Sequence, residues 1–216
     1  MENSDMSWTE SKKDFAELAL MDCRRFGDPM LFETALARVD DTRREKIRQC
    51  GTSVERQLSL GVGLLGDMLL RRHGFGGLIL FAPDGRPFLP EGTAHISLSH
   101  GGYYAMAGVS TTPLGVDVES VREEERAIVR HYFAPAEQCF LEDSDDRHRD
   151  FWRIWCRKEC LVKRDGLIEL RQLSVVDDPA KGKFWEFPLS GHICVCLTAT
   201  DIEPRFRVCS MEELDL

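Results

Sequence analysis

No apolar run in this 216-residue chain approaches the ~20 residues that a helix needs to cross a bilayer, so a helical membrane protein is excluded. Basic charge is also short. The 28 Lys and Arg against 37 Asp and Glu leave a net charge of −9, which argues against a general nucleic-acid binder. A local basic pocket for phosphates stays open. There is no Cys-x-x-Cys pair and no His-x-x-x-His, so the usual zinc spacings are missing. The eight cysteines are scattered, and reduced, buried thiols in a cytoplasmic protein are the expectation. The polar, acidic start, MENSDMSWTESKKDF, does not read as a secretory signal. A G-x-S-x-G elbow, a G-x-x-x-x-G-K-[ST] loop and a G-x-G-x-x-G loop are all absent. Serine hydrolases, P-loop enzymes and dinucleotide folds therefore lack their fingerprints.

The length suits one large domain or two halves of about 100 residues each. Residues 1–35 carry little pattern. A basic segment, TRREKIRQ, leads to GTSVERQLSLGVGLLGDMLLRRHG, where Thr52 and Glu55 form a T-x-x-E capping signal and Gly74 a stop. Leu58, Val62, Leu65 and Leu69 form one apolar stripe, which predicts a core helix over about 53–73. Strand-like runs follow in GLILFAPDGRPFL and AHISLSHGGYYAMAGVS. Helical pattern returns through EEERAIVRHYFAPAEQCFLE and FWRIWCRKECLVK, and LIELRQLSVV, FWEFPLS and HICVCLTAT again alternate like antiparallel strands. Residues 95–110 and 185–200 share the plan strand, Ser/Gly turn, apolar strand, each after a long helix. The expected architecture is α+β, in two similar halves over 1–112 and 113–216, joined near Thr111 to Gly115.

Three stretches carry chemistry. In GVDVES, Asp117 and Glu119 lie at i and i+2, so a strand would project both carboxylates side by side. Such a pair repels unless a cation sits between its members, although the solvent face of an edge strand would also suit it. In FWRIWCRKECLVK, helical spacing sets Glu159 between Trp152 and Trp155, with Lys163 one turn on and Lys158 at the edge of the aromatic arc. A carboxylate so desolvated wants a metal or lysine partner. Asp117, Glu119 and Glu159 together would form an oxygen-rich site suited to a hard ion such as Mg²⁺, which usually also binds substrate phosphates. In SLSHGG, Ser99 and His100 precede two glycines, where backbone can approach a ligand closely.

Together, ISLSHGG, LGVDVE and WCRKECLVK resemble the Sfp-type 4′-phosphopantetheinyl transferases, whose pattern runs Ser-His, G-[IV]-D-[IV]-E, W-x-x-K-E-x-x-x-K. The GRPFL turn, YFAPAE, the early RREK and LLGDMLLRR fit as well, and the likeness covers about Arg43 to Thr200. The resemblance implies a pseudo-twofold fold of two α+β halves, each an antiparallel sheet packed on a long helix, with coenzyme A in the cleft between them. It implies transfer of the phosphopantetheine arm to a serine of an acyl or peptidyl carrier protein, releasing adenosine 3′,5′-bisphosphate. Asp117, Glu119 and Glu159 are then the expected Mg²⁺ ligands, with Mn²⁺ as a substitute metal. Asp117, Glu159 and Lys163 are the expected catalytic groups, with Glu159 the base, directly or through water.

The same resemblance puts Lys158 and Lys163 on the pyrophosphate. Ser99, His100, Arg43 and Lys46 fall on the 3′-phosphate in the first half, and Arg86 beside the adenine. One departure stands out: Val62 occupies a position where the family often has an arginine, and Arg56 is the nearest substitute on the helix. A monomeric pseudo-dimer with neither nucleic acid nor membrane as partner is expected. The carrier would dock around AIVRHYFAPAEQCF with Arg126 and Arg130. Two other functions fit fewer of these residues: a catalytically silent coenzyme A- or carrier-binding module, and an unrelated Mg²⁺-dependent phosphohydrolase.

Overall fold

The computed structural model describes residues 14–76, 78–90, 92, 94–166, 170–176, 182–199 and 202–216. Its elements in chain order begin β1 (Ala16–Asp22), α1 (Pro29–Leu36), α2 (Asp41–Arg48) and α3 (Ser53–Arg72). A short hairpin of β2 (Leu80–Phe81) and β3 (Pro87–Phe88) leads to the longer hairpin of β4 (His95–Gly101) and β5 (Tyr104–Ser110). Then come β6 (Gly115–Ser120), α4 (Arg126–Tyr132), α5 (Pro135–Glu142), α6 (Arg147–Asp165), β7 (Lys183–Glu186), β8 (His192–Thr198) and β9 (Arg205–Val208).

Local chemistry explains the long helices. Thr52 accepts from the Glu55 amide while Glu55 accepts from the Thr52 amide, so the capping box closes and α3 starts where the signal placed it. Asp146 caps α6, and Gly166, at φ 90°, ends it in a conformation that a side chain would strain. Both helices pack on sheets. α3 covers one core with Leu58, Leu65 and Leu69, and α6 covers another with Phe151, Trp152 and Cys160.

The sheets share a plan. In one the order is β4-β5-β1-β9, and in the other β6-β8-β7. Each contains a first strand, then a long helix, then a hairpin whose second strand pairs antiparallel with the first: β1 with β5, and β6 with β8. The resemblance between 95–110 and 185–200 is thus a resemblance between hairpins, β4–β5 and β7–β8. A third apolar cluster joins the two sheets through Leu18, Leu20 and Met106 against Val116, Val118 and Cys194.

Several details differ from expectation. β1 lies in the span with little pattern. Its sequence, AELALMD, is rich in helix formers, yet it pairs on both sides, and burial at every position but the last overrides propensity. β9 leaves the second span and pairs parallel with β1, and Cys209, Met211 and Leu214 enter the first core. Arg207 from β9 and Arg72 from α3 both reach the buried Glu17 carboxylate, at 3.3 and 3.2 Å. Within LIELRQLSVV, residues 170–172 form a 3₁₀ turn rather than a strand, and 167–169 lie outside the described residues. None of the eight cysteines is in a disulfide; six are buried, while Cys50 is half-buried and Cys139 exposed. Among the described residues no helix is long and apolar enough to cross a membrane.

Candidate active site

Where β4 of one sheet runs beside β6 of the other, the chain encloses a cavity of about 440 Å³. Glycine permits the approach: a Cβ on Gly101 would lie 2.1 Å from the Val118 carbonyl oxygen. β6 also lies hard against α6, since a Cβ on Gly115 would fall 1.9 Å from the Cys160 carbonyl oxygen. These contacts bring Asp117 and Glu119 on β6 to the same cavity as Trp155, Glu159 and Lys163 on α6. Arg43 and Lys46 from α2, Ser59 and Val62 from α3, and His100 from β4 form the other wall, while Ser99 of β4 reaches across to Asp117. The cavity is therefore acidic on one side and basic on the other.

On the acidic side, Asp117 is buried, and its Oδ1 receives Ser99 Oγ at 2.6 Å and Lys163 Nζ at 2.5 Å. Its Oδ2 is buried without a partner. Burial raises the Glu159 pKa, and the neighbouring Asp117 charge raises it further. Glu119 is raised for the same two reasons, partly offset by Arg122, which donates to it at 3.1 Å. For Lys163, burial lowers the pKa but the Asp117 carboxylate outweighs it, so the ammonium is held above its ordinary value. Its three protons have three acceptors: Ser99 Oγ, the Val116 carbonyl and Asp117 Oδ1.

On the basic side, the Arg43 guanidinium lies over the Phe81 ring at 5.1 Å and the Lys46 ammonium over the same ring at 3.9 Å. Arg43 is buried, with Nη2 unpartnered, and its stem lies across α3 where a Cβ on Gly63 would sit 3.0 Å away. Ser59 Oγ is likewise buried and unpartnered. Two orphaned donors in one wall suit an anion. The sequence reading missed Ser59 and Phe81; Ser59 stands on the same face of α3 as Val62, one turn earlier, and that spacing was the available signal.

Some expected residues are elsewhere. Lys158 is fully buried on the far side of α6, 2.8 Å from Glu137, and donates to the carbonyls of Leu170 and Leu173. It does not line the cavity, which corrects the expectation of a pyrophosphate contact: one residue from Glu159, a helix has turned by about 100°. Arg86 pairs with Asp84 at 2.7 Å and lies over Gly166, leaving Gly85 and Pro87 of its turn to border the cavity. Arg56 donates to the Cys50 carbonyl and does not line the cavity. Of the two tryptophans expected around Glu159, only Trp155 lines the cavity. Trp152 is buried beneath Arg122, whose guanidinium sits 3.7 Å from its ring. In the segment expected to dock a partner, Phe133 and Ala134 are buried, while Tyr132 is exposed and packs edge-on against Trp155 at 5.7 Å.

Among the described residues, no three His, Cys, Asp or Glu side chains converge closely enough to hold an ion as they stand. Lys163 and Ser99 hold one oxygen of Asp117, and Arg122 draws Glu119 toward itself. The donor set nonetheless fits a hard divalent cation, because Asp117 keeps an orphaned buried oxygen and the two glutamates are already repelled by it.

Residues 113–209, which include β6 and α6, match the 4′-phosphopantetheinyl transferase superfamily. The 4′-phosphopantetheinyl transferase Sfp of Bacillus subtilis is 28% identical over 179 residues, covering 70% of this chain and 80% of that protein. Over those residues the chain is similar to the 4′-phosphopantetheinyl transferases. Shorter matches link it to the transferase psf-1 of Bacillus pumilus, 30% identical over 48% of this chain and 49% of that one. The transferase AcpT of Escherichia coli O157:H7 is 32% identical over 41% of this chain and 48% of its own. The superfamily match contains Asp117, Glu119, Glu159 and Lys163, while the basic wall lies before it.

Proposed function

We propose that this protein transfers the 4′-phosphopantetheine arm of coenzyme A to a serine of an apo acyl or peptidyl carrier protein, with Mg²⁺ or Mn²⁺ as the metal. The observation that carries the proposal is the single cavity that sets Asp117, Glu119 and Glu159 opposite Arg43, Lys46, Ser59 and His100. One wall suits a metal-bound diphosphate and the other a phosphate monoester, and coenzyme A presents both. On this reading the two sheets are halves related by a pseudo-twofold within a cytoplasmic monomer. β9 crosses back to the first half.

In the reaction, the carrier serine oxygen forms a bond to the phosphorus that bears the pantetheine arm. The bond from that phosphorus to the departing adenosine 3′,5′-bisphosphate breaks. Glu159 takes the serine proton, directly or through water; burial and Asp117 make its carboxylate a stronger base than a free one. Asp117, Glu119 and Glu159 are the side chains that would hold the divalent cation, which supplies neutralisation of diphosphate charge when bound. Lys163 keeps Asp117 in place and leaves its own positive charge beside the reacting phosphate. Arg43, Lys46, Ser59 and His100 hold the nucleotide end, so that the serine meets the phosphorus in line with the leaving oxygen. The exposed Tyr132 edge, with Arg126 and Arg130 on the same helix, is where the carrier would rest.

Intact-mass analysis of an apo carrier protein incubated with coenzyme A, Mg²⁺ and this protein tests the proposal. A gain of one phosphopantetheine, lost with Glu159→Gln, is the expected result. Coenzyme A hydrolysis without labelling of any acyl or peptidyl carrier would overturn it.

A further inference from the structure

The proposed metal site needs Asp117 to face its cation with one oxygen while the rest of the carboxylate stays fixed. The structure fixes one of its oxygens. Ser99 Oγ donates to Asp117 Oδ1 at 2.6 Å and accepts from Lys163 Nζ at 2.9 Å, and Lys163 Nζ reaches the same Oδ1 at 2.5 Å. Asp117, Ser99 and Lys163 thus form a closed three-membered network on one oxygen, while Oδ2 is buried with no partner.

A serine hydroxyl has one proton. Here it is committed to Asp117, and the ammonium proton from Lys163 occupies an acceptor site on the same oxygen. Ser99 is itself buried, unlike His100 beside it, which is exposed at the cavity rim. Two residues earlier on β4, Ser97 Oγ accepts from the Val116 amide at 3.0 Å. Alternate serines of one strand therefore lace the first sheet to β6 of the second, and the second lacing falls on the metal carboxylate.

We infer that Ser99 is a positioning residue for Asp117: together with Lys163 it holds Oδ1 and so fixes the carboxylate where the divalent cation would bind, and it makes no contact with the nucleotide's phosphates. This rests on the proposed metal role of Asp117. It differs from the role that the resemblance gave Ser99, on the 3′-phosphate. Carboxylates that ligate a metal are commonly oriented by such partners, and loss of one typically costs 10- to 100-fold in metal affinity.

Calorimetric titration separates the two roles. Mg²⁺ is titrated into the protein saturated with coenzyme A, without carrier, and coenzyme A is titrated into metal-free protein in EDTA. For Ser99→Ala, Mg²⁺ affinity is expected to fall about 10- to 100-fold, with coenzyme A affinity in EDTA unchanged. Ser99→Cys, similar in size but a poor donor, should follow Ser99→Ala, and Ser99→Thr, which keeps the hydroxyl, should retain wild-type Mg²⁺ affinity. Thermal melting of each variant identifies any that fail to fold. Should alanine and cysteine variants bind Mg²⁺ as wild type does, or lose coenzyme A affinity in EDTA, the inference is overturned while the function stands. Failure of the wild type to bind Mg²⁺ at all would remove the metal reading itself.

Discussion

Lys158 and Glu137 meet at 2.8 Å with both side chains fully buried, one on α6 and the other at the start of α5. Glu137 also accepts from the amides of Ala134 and Val175, and Lys158 donates to the carbonyls of Leu170 and Leu173. The pair therefore clamps the segment after α6 onto the second core. Breaking one side of a buried pair leaves an uncompensated charge, at a cost of about 3–5 kcal/mol. Lys158→Met should lose about that much in urea unfolding, while the folded variant keeps its coenzyme A affinity in calorimetry. Lost affinity with full stability would return Lys158 to the pyrophosphate.

Arg43 Nη2 and Ser59 Oγ are buried donors without partners in the wall of one cavity. A phosphate monoester seated there would satisfy both. Replacing Ser59 by alanine removes a hydrogen bond to a charged group, about 1.5–3 kcal/mol, or roughly ten- to hundredfold in affinity. Ser59→Ala should therefore bind coenzyme A more weakly by that factor and bind dephospho-coenzyme A as wild type does. Equal weakening of both ligands would put Ser59 on the ribose or base instead.

How legible these roles were depended on whether local spacing or tertiary packing decided them. The capping box at Thr52 and Glu55 and the strand character of GVDVES and HICVCLT follow from spacing over a few residues, and the sequence pattern located them. Asp117, Glu119, Glu159 and Lys163, which the motifs singled out, all line one cavity. What spacing could not convey was direction. Lys158 and Glu159 are neighbours in sequence, and a turn of the helix sends one into the core and the other to the cavity. β1 was illegible for a related reason: AELALMD becomes a strand only because β5 and β9 flank it. Ser99 was noticed as a turn residue, but its partner lies on another sheet.

His100 stands at the cavity rim, where the protein walls around it and the Lys163 ammonium together lower its pKa below the ordinary 6.5. It is the group in the basic wall that titrates near neutral pH. In the unliganded protein it is neutral above that lowered pKa, and a bound phosphate dianion would raise the pKa again. Coenzyme A binding should therefore take up protons, and affinity should rise as pH falls toward 6.5. Calorimetry in buffers of different ionisation enthalpy measures the uptake, and His100→Asn should abolish its His-dependent part. The phosphate's own second ionisation, near pH 6, remains in both proteins and is subtracted. For the unliganded protein the sign is opposite: the unfolded state binds the extra proton first, so stability rises with pH between the lowered value and 6.5. Identical proton uptake by wild type and His100→Asn would remove the phosphate from His100.

Gly115 is where the two acidic motifs touch. A methyl group there would fall 1.9 Å from the Cys160 carbonyl oxygen, which is backbone in the middle of α6 and cannot move as a side chain would. Asp117 lies two residues along β6, and Glu159 is the neighbour of Cys160. Gly115→Ala must therefore push β6 and α6 apart, and both sides of the acidic wall move with them. Overpacking of this kind costs about 3 kcal/mol in a well-packed core. The expected outcome is that loss in urea unfolding, together with a Mg²⁺ affinity weaker than wild type in the fraction that stays folded. Coenzyme A affinity in EDTA should change less, because Arg43, Lys46 and Ser59 belong to α2 and α3. A Gly115→Ala protein as stable as wild type, with unaltered Mg²⁺ affinity, would mean that β6 and α6 are not held at this distance in solution.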